Sequence, residues 1–306
     1  MAQGKRIASA LGFAFAAWVC AEVPAHAQAW AITCTTPGQV LTSPGGYIQL
    51  TCGNSPNLMT SPHDGTLKPD TMALRSPEWC ADAADFETGN DKGSALMASY
   101  IAQAYHAQSG KHLWRIRNRV SRTHLDANRV DRDCATAGDP DAGLAFDYYH
   151  QAIQYVLGRI VGRGFMWDLH NNKSHDWRLE LVFGRGRSWL YHPEAHAGET
   201  TLRAFATTHE GSFATLLRDL GTRFRAAGYA AVPSASQWEP EPNDAFWRGG
   251  EVIEQYGCPT TADPVCGVLI EMHKGIYQFS EAQKRAFAAT FATIMRGYLA
   301  QFGIKW

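Results

Sequence analysis

The sequence predicts an α/β fold: a single domain with a central mixed sheet flanked by helices. Three observations carry this. Short β-prone apolar runs alternate with helical segments along most of the chain. No internal repeat or long linker divides it. Beyond an N-terminal leader, about 280 residues remain, enough to bury one large core.

The leader comes first. Lys5 and Arg6 precede an apolar run from Ile7 to Ala21, and Ala25-His26-Ala27 follows as a small-x-small cleavage site. Residues 1–27 therefore read as a signal peptide and 28–306 as the mature domain, expected in the periplasm or secreted. The apolar run is too short, and too soon followed by Glu22 and Pro24, for a membrane span. No later segment looks like one, so no membrane anchor is expected after cleavage. Cys20 leaves with the leader. The six cysteines that remain suit an oxidising compartment, and of the 15 pairings open to them the economical set is Cys34 with Cys52, Cys80 with Cys134 and Cys258 with Cys266.

From Ala29 to Asn57 the chain is rich in Thr, Gly, Pro and Ser, with β-prone pieces such as Tyr47-Ile48-Gln49-Leu50, and reads as strands and loops pinned by cysteines. A helix over Asp91–Gln108 follows, then a strand over His112–Val120 and a helix over Asp141–Val161. Strands come next over Phe165–Leu169 and Leu179–Phe183. A helix over Gly211–Ala227, strands over Tyr229–Val232 and Val268–Met272, and a helix over Ser280–Phe302 close the chain. The segments Gly184–Thr200 and Pro233–Gly250 read as long loops over the sheet, either binding loops or plain surface excursions.

Charge excludes one class of partner. Without the leader, 26 basic and 28 acidic residues leave a net charge of −2, so no global field recruits nucleic acid. Selectivity for a charged ligand must then be local.

Candidate chemistry lies where strands end. His170 ends the apolar run Phe165-Met166-Trp167, and His63 stands in Ser61-Pro62-His63-Asp64-Gly65. Imidazole is a common zinc ligand, and a hydrolytic zinc takes three protein ligands with one position open. A single histidine is more often a hydrogen-bonded loop or core residue. The strand at 112–120 is cationic at Arg115, Arg117 and Arg119 and runs into Ser121-Arg122-Thr123-His124-Leu125-Asp126-Ala127-Asn128-Arg129. Guanidinium groups with an amide beside them can grip a carboxylate; a solvated basic face is the plainer alternative. Glu271 interrupts the apolar run Val268-Leu269-Ile270-Met272. A carboxylate there either faces a polar cavity or a metal, or points outward from the strand.

In this order the motifs resemble the N-formylglutamate amidohydrolase family, itself related to zinc carboxypeptidases and aspartoacylases. Pro62-His63-Asp64-Gly65 is similar to the family's Pro-His-x-Gly, and Ser121-Arg122 through Asp126-x-Asn128-Arg129 to its Ser-Arg and Asp-Leu-Asn-Arg. Asp168-Leu169-His170 is similar to its Asp-x-His. Asn243 through Phe246 with Gly249-Gly250, then Tyr256-Gly257, then Ile270-Glu271 with Tyr277, complete the series. The resemblance implies a zinc-carboxypeptidase-like fold and a zinc-dependent amidohydrolase. It implies that His63 and His170 bind Zn2+ with a carboxylate between them; Asp91, opening a helix, is preferred over Asp85 and Glu87. Glu271 is implied as general base and Arg122 as oxyanion stabiliser. Asn128 and Arg129 are implied as substrate-carboxylate contacts, Arg248 as a second such contact, and Asp126 and Asp168 as residues orienting Arg129 or His170.

Departures from the pattern are Ala127, Asn171, Ala245 and Met272-His273. None removes a proposed catalytic group. With export they turn the expectation from N-formylglutamate towards an N-acyl amino acid, a peptide C-terminus, poly-γ-glutamate or a cell-wall peptide. Two other classes compete: a glycoside hydrolase using Glu239, Glu241 or Asp244 near Trp238 and Trp247, and a non-catalytic periplasmic protein that binds carboxylates through the arginines.

Overall fold

The computed structural model describes residues 29–172, 178–184, 190, 192–239 and 250–305, with Asp85 and Arg178 described in their backbone alone. Its strands are β1 (Val40–Thr42), β2 (Ile48–Thr51), β3 (Asn57–Ser61), β4 (Trp114–Asn118), β5 (Gly164–Asn172), β6 (Arg178–Val182), β7 (Ala230–Val232) and β8 (Val265–His273). They form one sheet in the order β1-β2-β4-β3-β5-β8-β6-β7. The centre, β4-β3-β5-β8, is parallel; β2 and β6 flank it antiparallel, so the sheet is mixed as expected.

A parallel centre must be covered on both faces. On one face lie α1 (Ser94–Ser109), α3 (Phe213–Ala226) and α4 (Glu281–Ala300); on the other lies α2 (Pro140–Leu157) with the short helix Glu251–Tyr256. Local chemistry starts these helices. The Asp139 carboxylate accepts from Ala142 N–H and Pro140 occupies the first turn of α2, while Ser280 and Gln283 form a reciprocal capping box on α4. Strand alternation then divides the core. Phe165, Trp167 and Leu169 of β5 pack under α1, α3 and α4, whereas Met166 faces α2.

The alternating pattern locates the four long helices to within a few residues. It does not separate out β3, whose Asn57, Thr60 and Ser61 disguise a fully buried strand. Two of these polar groups are paired inside: Asn57 Oδ1 accepts from Trp167 Nε1 at 3.1 Å, and Thr60 Oγ1 donates to Asp168 Oδ1 at 2.6 Å. Strands β5 and β8 also run past their apolar runs, to Asn172 and His273, so His170 and Glu271 sit within strands.

The three expected disulfides, Cys34–Cys52, Cys80–Cys134 and Cys258–Cys266, are present. Among the described residues no helix is long and apolar enough to cross a membrane. The leader and the segment carrying Arg248, Glu241 and Asp244 lie outside the described residues.

Candidate metal centre

The carboxyl ends of β3, β5 and β8 meet at one rim of the sheet, where α/β folds gather functional side chains. His63 lies just beyond β3, His170 near the end of β5, and Glu271 on β8 directly beside it in register. Asp91 stands in the turn ahead of α1, its N–H donating to His63 O at 2.9 Å. That turn needs Gly93, which has φ +96° and would, as any larger residue, bring its Cβ to 2.7 Å from the Tyr277 ring. Tyr277 in turn donates from its hydroxyl to His170 O at 3.0 Å.

These segments bring three ligand groups together. Asp91 Oδ2 lies 3.2 Å from His63 Nδ1 and 3.0 Å from His170 Nδ1, all three side chains being buried. One ligand atom from each residue falls within 4.8 Å of the other two. The outer nitrogens are held as well: His63 Nε2 is 2.7 Å from Asp126 Oδ1, and His170 Nε2 is 3.0 Å from Asp168 Oδ2. When each imidazole donates its Nε2–H to its carboxylate, both Nδ1 lone pairs face the Asp91 oxygen. With a proton on Nδ1 the imidazoles donate to Asp91 instead; with a cation in its place, the three groups could serve as its ligands. Two imidazoles and a carboxylate, each imidazole backed by a second carboxylate, form a donor set that suits zinc.

The site is crowded with buried charge. The buried acids Asp91, Asp126, Asp168, Glu180 and Glu271 outnumber the guanidinium groups of Arg75, Arg122 and Arg129 around them. Burial alone would push Asp91 up, but hydrogen bonds from His170 and His63 outweigh it and hold the carboxyl well below its usual range. Burial opposes charge on His170, yet Asp168 and Asp91 draw its proton affinity well above normal. Glu271 is pushed to about 8 by burial against the pull of His170, with Asp91 and Glu180 adding to the rise.

Asp126 joins the ligands to the arginines. Its Oδ2 accepts from Arg122 Nε at 2.9 Å and lies 3.4 Å from Arg129 Nε and 3.7 Å from Arg75 Nη2. It thus orients His63 as well as Arg129, a wider role than the sequence indicates. Asp168 orients His170 as expected. Asn128 spends its Oδ1 on Val252 N–H at 2.8 Å, with Nδ2 3.5 Å from His170 Nε2. Gly250 passes so close that a Cβ on it would lie 2.8 Å from that Nδ2, which explains the glycine at this end of the Gly249-Gly250 pair.

His63, Asp91, His170, Glu271, Arg122, Asn128 and Arg129 therefore line one cavity of about 100 Å³ among the described residues. Of the rivals to Asp91, Glu87 stands at the mouth of this cavity, exposed. Arg248 cannot be placed with them, since it lies outside the described residues. Three contributors escape the sequence reading. Thr60 props Asp168, and Arg75, with no exposed side-chain surface, braces Asp126 while donating to Cys134 O and Arg122 O. Glu180 on β6 stands opposite Glu271 in register. Only Glu180 has a sequence signal: it interrupts Leu179-Leu181-Val182 as Glu271 interrupts its own run.

No protein-family model matches the chain, and no curated protein is similar to it. Among solved structures, the gene product Atu2144 from Agrobacterium tumefaciens shares the fold, with a TM-score of 0.50 and 14% identity over 83% of this chain and 95% of that one. An N-formylglutamate amidohydrolase from Ralstonia eutropha JMP134 is also similar, at 16% identity and a TM-score of 0.44 over 84% of this chain and 95% of that one. The N-acetylmuramyl-L-alanine amidase Ami1 from Mycobacterium abscessus aligns at 10% identity, with a TM-score of 0.40 over 79% of this chain and 98% of that one. Identities this low speak to architecture, and the chemistry must be argued from the site.

Proposed function

We propose that this chain is an exported zinc-dependent hydrolase that cleaves an amide bond next to a carboxylate, in an N-acyl amino acid, a peptide or a γ-glutamyl substrate. The observation that carries the reading is the convergence of two imidazole nitrogens on the Asp91 carboxylate, with Glu271 beside His170. The motif order resembling N-formylglutamate amidohydrolases supports it. So do the three disulfides and the leader-like N-terminus, which fit an exported chain.

In this reading His63, Asp91 and His170 hold the zinc. A zinc ion there supplies Lewis acidity, polarising the scissile carbonyl and easing the ionisation of water. Glu271, beside His170 in register, takes the proton of the attacking water and returns it to the leaving nitrogen. Arg122, anchored through Nε on Asp126 and through Nη1 on Gly89 O, turns its Nη2 group to the developing oxyanion. Arg129 and the Asn128 amide hold the substrate carboxylate and so align the scissile bond, with Arg248 as a second anionic contact.

The decisive experiment is metal analysis of the purified protein beside hydrolysis of a panel of N-acyl amino acids and γ-glutamyl peptides, with and without chelator. One zinc per chain and a chelator-sensitive, zinc-restored activity on this panel are expected. A protein that binds no divalent ion, or one whose activity survives chelation, overturns the proposal.

A further inference from the structure

Nothing in the proposed reaction uses the arginines of β4. By alternation Trp114 and Ile116 face the α2 side of the sheet, so Arg115 and Arg117 project on the opposite face, beside α1. Arg117 has a partner, its Nη2 lying 3.0 Å from Asp64 Oδ2. Arg115 is different. Its Nη2 donates to Thr51 Oγ1 at 3.3 Å, its Nε is enclosed without a hydrogen-bond partner, and no carboxylate pairs with it among the described residues. Burial lowers its proton affinity.

The guanidinium borders a cavity of about 450 Å³ between β2, β4 and α1, within the size range of small-molecule sites. One wall is apolar, formed by Met59, Ala98 and Leu96; another carries Ser61, Ser99 and the Asp64–Arg117 ion pair. The cavity has no lining residue in common with the candidate metal centre. Asp64 also lines the cavity but is spent on Arg117, so Arg115 is left half-enclosed without a carboxylate of its own, and its guanidinium fork matches one. The apolar wall beside it adds a place for a short hydrocarbon body.

We propose that this cavity is a second binding site, for a small carboxylate with a short aliphatic body, its carboxylate held by Arg115 and its chain lying against Met59 and Leu96. The site stands apart from the hydrolytic reading, and either can fail without the other.

Hexanoate and its uncharged counterpart hexanamide are the probes, titrated calorimetrically into the full chain, with 6-bromohexanoate soaked into crystals to locate the bromine by anomalous scattering. Hexanoate is expected to bind, hexanamide at least tenfold more weakly, and the bromine to lie beside Leu96. Arg115→Gln should weaken hexanoate at least tenfold. Leu96→Glu, at a helix position 45% exposed and therefore safe for folding, should do the same by placing a like charge at the groove. Arg129→Gln should leave this affinity within twofold, which separates the site from the metal centre. Absence of binding, bromine found only at the metal centre, or unchanged affinity in the Leu96→Glu chain overturns the proposal.

Discussion

Asp126 is the carboxylate on which most of the site leans. It meets His63, Arg122, Arg129 and Arg75, and no exposed surface remains on it. Replacing Asp126 with Asn keeps the shape and removes the charge that orients His63, so zinc affinity should fall by about 10–100-fold, read by competition with a chromophoric chelator. Glu271→Gln should behave differently. Removing a general base costs on the order of 10²–10⁴ in rate, and because Glu271 is outside the ligand trio, zinc content should stay at the wild-type level. A Glu271→Gln protein that hydrolyses the substrate panel at the normal rate would refute the assigned role.

At the scale of elements, the turn Asp91–Gly93 couples α1 to the site. Gly93→Ala forces a Cβ into the left-handed region and against the Tyr277 ring, and should cost about 1–2 kcal/mol in urea unfolding. Zinc affinity should drop with it, since Asp91 and His170 are both tied to this turn. Much of this geometry is legible in the sequence. The apolar runs around Trp167 and Ile270 mark β5 and β8, and His170 and Glu271 declare themselves by standing at the end of one run and inside the other. β3 is not legible, because the polar residues that make it look like a loop are satisfied by Tyr105, Trp167 and Asp168, partners 48 to 110 residues away. Arg75 is hidden for the same reason: its value lies wholly in contacts with residues 87, 122, 126 and 134, which only the tertiary fold supplies.

For the whole molecule, pH provides a test that does not depend on the metal. His150, on α2, is buried against Tyr256, its Nδ1 3.0 Å from the Tyr256 hydroxyl, and burial lowers its proton affinity from 6.5 to about 4. The unfolded chain therefore binds more protons between these two values. Stability should be full above pH 6.5 and decline as pH falls to about 4, by roughly 3 kcal/mol at most from this residue. Thermal melts from pH 7 to 4 should show this fall, and His150→Gln should flatten it; an equal slope in both proteins would dismiss the assignment.

The candidate ligands and the Glu271 carboxylate come from positions 63, 91, 170 and 271, and β8, the last strand made, is inserted between β5 and β6, which are synthesised earlier. A nascent chain thus lacks a complete constellation until residue 271 has left the ribosome and β8 has slotted between β5 and β6. If the proposed export precedes folding, that order of assembly would keep the site incomplete in the compartment in which the chain is translated.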